Sequence, residues 1–369
     1  MKVFQILPKY EPYLPHFESK YQVDDMSFEE HRRTLINDRF YALHLLKPVL
    51  DFEEGSFYTM WSYEKMQLKW AREKGWNETD LKKILFAQIE EYQPDVFYNG
   101  APMFFNHEEL EANIDPKIIR ICWSASPYDK DSLFESYESR LTNFPLSIRP
   151  KSECGYRNDL FTPAYDPVME ELATNENRPI DLLFYGQYAD DAFINRNAHL
   201  DRLLEFKLAE KDLNIKFCLQ YRVRKEPVVN IPYVRRFWQK KVFPSDFVIE
   251  NAEKPIYGLD LYKNLSQSKI VFNAGVDFTK NHKVNMRNFE VLGCGAHMIS
   301  DRGIYPDGFE MDKHFSTYNN IDECLEKVKA LLKNDELRTN IAKAGNSFVK
   351  QEYTKEKQWD MFKNIVASL

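Results

Sequence analysis

Residues 281–301 read NHKVNMRNFEVLGCGAHMISD and join a polar loop, an amphipathic helix, a glycine stop and a strand. Val284, Arg287, Asn288 and Val291 fall at helical spacing, with Phe289 and Leu292 on another side of the same helix. Gly293 and Gly295 are expected to end it, because glycine accepts the positive φ that a helix C-terminus usually needs. Residues 296–299 are a short apolar run, the pattern of a buried parallel strand. That strand closes on Ser300 and Asp301, at the carboxyl end where open α/β sheets place ligands.

The front of this helix carries the chemistry. Free N–H groups of a first turn, with the helix dipole, favour an anion such as a pyrophosphate. Arg287 adds a forked, permanent positive charge. Glu290, three residues on, can accept two hydrogen bonds from a ribose diol. Loop amides, an arginine and a carboxylate at this spacing suit a nucleotide with a sugar attached. Spacing alone leaves a plainer reading equally open: a core helix with Arg287 and Glu290 paired on its surface.

Outward from this stretch, apolar runs alternate with amphipathic ones. Residues 3–7, 56–60, 96–98 and 118–123 read as buried strands. Ser27 with Glu30 makes a capping box for a helix expected to run through Leu35, Phe40 and Leu43 to Leu46, ended by Pro48. Further helices are expected over 61–74 and 79–89, and short strands at 146–148 and 160–161. The polar stretch 174–179 introduces a second alternation. Its strands are 180–185, 215–219, 269–272 and 314–316, its helices 196–208, 321–332 and 336–349, and Gly186, Gln187 and Tyr188 read as a turn. Two strand–helix series joined by one polar linker predict two Rossmann-like α/β domains. Trp359, Phe362 and Ile365 in the tail form an apolar stripe that needs a partner.

Composition narrows the function. A chain of 369 residues accommodates two ordinary domains, and no apolar run approaches the ~20 residues that span a bilayer. The N-terminal MKVFQILPKY reads as a first strand rather than a signal peptide, so a cytoplasmic location is expected. A net charge of −7 argues against a general nucleic-acid binder. Cys122, Cys154, Cys218, Cys294 and Cys324 are scattered, which fits buried thiols in a reducing compartment rather than a disulfide framework or a zinc site.

The block Arg287-Asn288-Phe289-Glu290 followed by Gly293-Cys294-Gly295-Ala296 resembles the R-x-F-E-x-x-x-x-G-A signature of group 1 glycosyltransferases, in particular the CgeB-like branch. Asp301, Phe309-Glu310, residues 320–334 and Ile341-Ala342-Lys343-Ala344-Gly345 follow the same pattern, as do 10–17, 64–75 and 87–95. The resemblance implies a GT-B fold: two facing Rossmann-like domains, with a C-terminal helix crossing back to the first. Residues 1–172 with the tail 355–369 then form the acceptor side, and 179–354 bind a nucleotide-sugar. It also implies sugar transfer from that donor to a glycan, lipid-linked or other acceptor, in cell-surface polysaccharide or glycoconjugate synthesis.

On this reading the donor site comprises Gly186, Gln187, Arg222, Gly275, the amides of Asn285 and Met286, Arg287 and Glu290. His16, Asp277 and His282 are the catalytic candidates, His16 because a histidine pKa near neutrality suits proton transfer from a hydroxyl. His282 stands where many retaining relatives carry a second glutamate, so that glutamate's role is not transferred and the stereochemical outcome stays open. No cofactor and no metal are expected, since Asp129-Lys130-Asp131 lacks an abutting apolar strand and reads as a surface loop. Residues 234–241 interleave bases with aromatics. They suit either peripheral contact with an anionic membrane, at the inner face, or a helix packing Phe237 and Trp238 inward, and the second is favoured. Two other classes remain: a non-catalytic nucleotide- or glycan-binding subunit, and a sugar-nucleotide epimerase.

Overall fold

The computed structural model describes residues 1–125, 131–188, 194–221, 244–275 and 279–369, which divide into two compact units. One comprises Met1–Ala164 with Lys355–Leu369, the other Tyr165–Thr354.

In the first unit, strands β1 (Val3–Leu7), β2 (Ser56–Met60), β3 (Val96–Asn99), β4 (Ile119–Trp123), β5 (Ser139–Thr142) and β6 (Arg157–Leu160) form one parallel sheet in the order β2-β1-β3-β4-β5-β6. Continuous apolar runs suit a parallel sheet because helices cover both of its faces. Phe4, Ile6 and Phe97 pack with Leu85 and Ile89 of helix Leu81–Tyr92 on one face. Val3, Val96, Tyr98 and Ile121 pack with Phe362 and Ile365 on the other. Those last two residues belong to helix Lys355–Ala367, so the apolar stripe of the tail finds its partner on the sheet of this unit. Lys355 anchors the helix: its buried ammonium donates to the carbonyls of Ala42 (2.6 Å), Leu43 (3.0 Å) and Leu45 (2.7 Å).

Several local expectations are corrected here. The helix that opens with the Ser27–Glu30 capping box spans Phe28–Asn37 and stops short of Leu46. Asp38 caps it while accepting hydrogen bonds from Tyr13 (2.8 Å) and Tyr21 (2.7 Å), and Arg39 then turns away at φ 65°. Pro48 lies within helix Lys47–Leu50, in its first turn, where a missing N–H costs nothing. Residues 145–147 make a single 3₁₀ turn rather than a strand. The strand that sequence patterning misses is β5, whose residues SRLT are polar in three places and yet all buried. Its polar side chains find protein partners: Ser139 Oγ donates to Asp159 (2.6 Å), and Arg140 Nη2 donates to the Ser124 carbonyl (3.2 Å).

In the second unit, β7 (Ile180–Gln187), β8 (Ile215–Gln220), β9 (Ser268–Phe272), β10 (His297–Asp301) and β11 (Ser316–Tyr318) form a parallel sheet in the order β11-β10-β9-β7-β8. The chain leaves β7 in one direction to β8 and returns on its other side as β9. The strand order therefore reverses between β7 and β9, which makes their carboxyl ends the topological switch point. Gly186 and Gln187 are paired with Leu219 and Gln220 of β8, so they extend the strand instead of forming the expected turn. Strand β11 likewise begins at Ser316 rather than 314. Among the described residues no helix is long and apolar enough to cross a membrane.

Replacing Lys355 by methionine takes the donor from the buried carbonyls of Ala42 and Leu45, while Leu43 O keeps the Ala164 N–H and Gln358. Each unsatisfied group costs about 1–3 kcal/mol, so Lys355→Met is expected to lower unfolding stability by at least about 2 kcal/mol, read as a fall in the urea midpoint.

Candidate functional site

The crevice at the switch point is built by one helix and two strand ends. Helix Arg287–Gly293 follows Met286 as its N-cap, so it starts later than the 3.6-residue pattern suggests and leaves Val284 and Asn285 in the preceding loop. Gly295, at φ 69°, is its stop. Gly293 is helical, and its missing side chain has another purpose: a Cβ there would meet Met169 Sδ at 2.3 Å, so glycine permits close packing against helix Met169–Ala173.

Arg287 reaches the ends of β7 and β9 from the first position of the helix. Its Nη2 donates to the carbonyl of Tyr185 on β7 (2.5 Å), its Nη1 donates to Asn273 Oδ1 just after β9 (2.9 Å), and its Nε–H is buried with no partner among the described residues. The guanidinium also lies over the Tyr185 ring, with Cζ 4.4 Å from the centroid. Gly186 makes room for it, because a Cβ at that position would sit 3.0 Å from Nη2.

Asn273 is the hub of the polar network. Its Oδ1 accepts from Arg287 and from Asn285 Nδ2 (3.0 Å), while its Nδ2 donates to Asn288 Oδ1 (3.2 Å) and Ser300 Oγ (3.1 Å). Beside it, Lys283 is ion-paired to Asp301, which also accepts from the Gly275 N–H (2.9 Å). Gly275 and Gly303 flank the lysine stem, where a Cβ at either would lie within 2.7 Å of its carbons.

Glu290, one turn along, is 7% exposed. It does not pair with Arg287, which excludes the surface-pair reading. Its Oε2 accepts from the Tyr185 hydroxyl at 2.6 Å. Burial pushes its carboxyl pKa up, an effect that the hydroxyl and the Arg287 charge partly offset. The same burial, with the carboxylate alongside, raises the Tyr185 hydroxyl far above its ordinary range.

Of the residues nominated from sequence, the structure gathers Gly186, Gly275, Asn285, Arg287 and Glu290 around the switch point. Gln187 is there through its carbonyl, which accepts from Arg196. Met286 is the half-buried N-cap. His282 lies in the adjoining loop, with its N–H donating to Thr279 O (3.0 Å) and its carbonyl accepting from Thr279 Oγ1 (2.6 Å). Arg222 and Asp277 lie outside the described residues, as do Asp129, Lys130 and residues 234–241. Asp131 is ion-paired to Arg149 in a 3₁₀ turn. His16 is in the first unit, on helix Leu14–Tyr21. There Tyr13 is fully buried and stacks on Phe40 with centroids 4.0 Å apart.

Sequence reasoning passed over Tyr185, Asn273 and Lys283. Tyr185 and Asn273 carry a positional signal, since each stands at or just past the carboxyl end of an apolar strand. Lys283 carries none, because its counter-ion is eighteen positions away, at the end of β10.

The raised Glu290 pKa has a defined sign. A carboxyl that is harder to ionise when folded adds stability that is fully present below its ordinary pKa of 4.5 and is lost as pH rises through the folded value. Glu290→Gln should remove this dependence. Urea midpoints measured from pH 4 to pH 8 are expected to fall more steeply for the wild type than for the variant.

Comparison with known proteins adds an independent line. Residues 219–364 match a family model described as glycosyl transferase-like. No curated protein matches the sequence. Among solved structures, an alpha-glucosyltransferase in complex with UDP and a 13-mer DNA containing an HMU base is similar at TM-score 0.58 and 10% identity, over 100% of this chain and 99% of that one. HepE from Anabaena in complex with UDP matches at TM-score 0.53 and 11% identity, over 100% of both chains. A glycosyltransferase from Rickettsia africae matches at TM-score 0.53 and 10% identity, over 99% and 97%. With two parallel-sheet Rossmann-like units and these neighbours, the chain has the GT-B fold, and its C-terminal portion carries glycosyltransferase-like sequence.

Proposed function

We propose that the chain is a glycosyltransferase whose second unit binds a nucleotide-sugar at the β7/β9 switch point. The observation that carries this reading is the placement of Arg287 and Glu290, one cation and one carboxylate, on a single helix at that crevice, inside the span that matches the glycosyl transferase-like model. Two of the neighbouring structures hold UDP, which supports a nucleoside diphosphate as the common element of the donor. Arg287 offers a permanent charge to a phosphate, and Glu290 offers a carboxylate oxygen to the ribose. Preorganised donors of this kind stabilise a departing diphosphate as charge develops on it, a task that other transferases give to a metal ion.

The acceptor is assigned to the first unit as a glycan or lipid-linked glycan, with the CgeB-like branch and surface-polysaccharide synthesis as the setting. The DNA bound by one neighbour is not carried over, because this chain is acidic overall. A non-catalytic binding subunit is the second reading. It is favoured by His282, which stands at the position of the glutamate that retaining relatives carry.

Thermal melts with UDP, GDP, CMP, dTDP and ADP, each with magnesium and with a chelator, test the donor site. Binding at ~100 Kd stabilises by about 2.7 kcal/mol, so at least one nucleotide is expected to raise Tm, equally with and without metal. Arg287→Ala is expected to abolish that rise. Slow hydrolysis of the matching nucleotide-sugar identifies an enzyme, and its absence favours the binding subunit.

A further inference from the structure

Glu290 alone does not fix the direction in which its carboxylate points. The last side-chain torsion of glutamate is broad and two-fold, so an unrestrained carboxylate presents either oxygen over a wide arc. Here one oxygen is pinned. Tyr185 donates its hydroxyl to Oε2 at 2.6 Å, and Oε1 receives no donor from the described residues. Glu290 as a whole keeps 7% of its surface exposed.

Tyr185 is itself held on three sides. Its backbone is in the β7 ladder, paired with Cys218. Its carbonyl accepts from Arg287 Nη2 (2.5 Å), and the guanidinium covers its ring at 4.4 Å. Next to it Gly186 contributes no side chain, which lets the guanidinium lie against the strand end: a Cβ there would sit 3.0 Å from Arg287 Nη2.

We propose that Tyr185 is a positioning residue: by pinning Oε2 it aims Oε1 of Glu290 at the ribose diol, and it thereby sets a preference for ribonucleotides over 2′-deoxyribonucleotides. This deepens the nucleotide-site reading and rests on it. A positioning hydroxyl of this kind acts through another residue, so its loss changes selectivity rather than affinity for the phosphates.

The test is calorimetric titration of UDP, GDP and ADP, each beside its 2′-deoxy counterpart, against the wild type, Tyr185→Phe, Glu290→Gln and Glu290→Asp. A hydrogen bond to a charged group corresponds to about tenfold or more in affinity, so the wild type is expected to favour the ribo form of the bound diphosphate by at least that factor. Tyr185→Phe keeps the ring beneath Arg287 and should bring the ratio close to one, with affinity for the deoxy form held within about twofold. Glu290→Gln should do the same. Glu290→Asp keeps the charge but draws it back from the hydroxyl; it too should lose the preference, which decides the question if the phenylalanine variant does not fold. Selectivity that Glu290→Gln abolishes but Tyr185→Phe and Glu290→Asp retain overturns the role of Tyr185 alone. No binding by any of the three diphosphates, or a wild-type ratio near one, overturns the nucleotide-site reading itself.

Discussion

The second unit depends on the double hydrogen bond from Arg287 to the ends of β7 and β9. A parallel sheet leaves its strand ends at the switch point with carbonyls and side-chain amides that have no ladder partner. One guanidinium closes both, donating to the Tyr185 carbonyl and to Asn273 Oδ1, and a lysine, with a single point charge, lacks the planar fork to do so. The cation is only 9% exposed, so its desolvation has to be offset. The Tyr185 ring beneath it contributes about 0.5–2 kcal/mol of cation–π attraction, and the two hydrogen bonds add to that.

This arrangement explains the small residues around it. Gly186 is glycine because of where the guanidinium lies, not because of a backbone angle. Gly275 and Gly303 serve the Lys283 stem in the same way. The asparagines form a second layer, and every hydrogen-bonding group on the Asn273 side chain is engaged. Its carbonyl is engaged too, accepting from the Tyr318 hydroxyl on β11 at 2.9 Å. With both ends of its side chain engaged, Asn273 is held in one orientation, which stiffens the strand ends it joins.

The first unit solves a different problem. Its sheet needs an apolar cover on the face that β1, β3 and β4 present, and the chain provides that cover last, from residues more than 300 positions after β1. Phe362 and Ile365 supply the burial, while Lys355 ties the start of the helix to the loop at Ala42, Leu43 and Leu45. The completed core of this unit therefore includes both ends of the chain.

Periodicity made most of the elements legible. The apolar runs at 3–7, 56–60 and 215–219 stand where strands form, and helix Ile321–Leu332 has the boundaries its pattern suggests, because short-range burial and capping decide these features. The sequence also placed an arginine and a glutamate on one helix, at positions 287 and 290. It did not determine how they are used. The strand β5 escaped because it is polar in three places, with Ser139 and Arg140 finding their partners at Asp159 and Ser124, and the helix before Asp38 was overextended because its stop is a buried carboxylate held by distant tyrosines. Only tertiary structure decided that Arg287 and Glu290 both turn to Tyr185 rather than to each other. Tyr185 lies 102 residues before Arg287, and hydrogen bonds and desolvation between groups so far apart along the chain exist only once the strands are side by side.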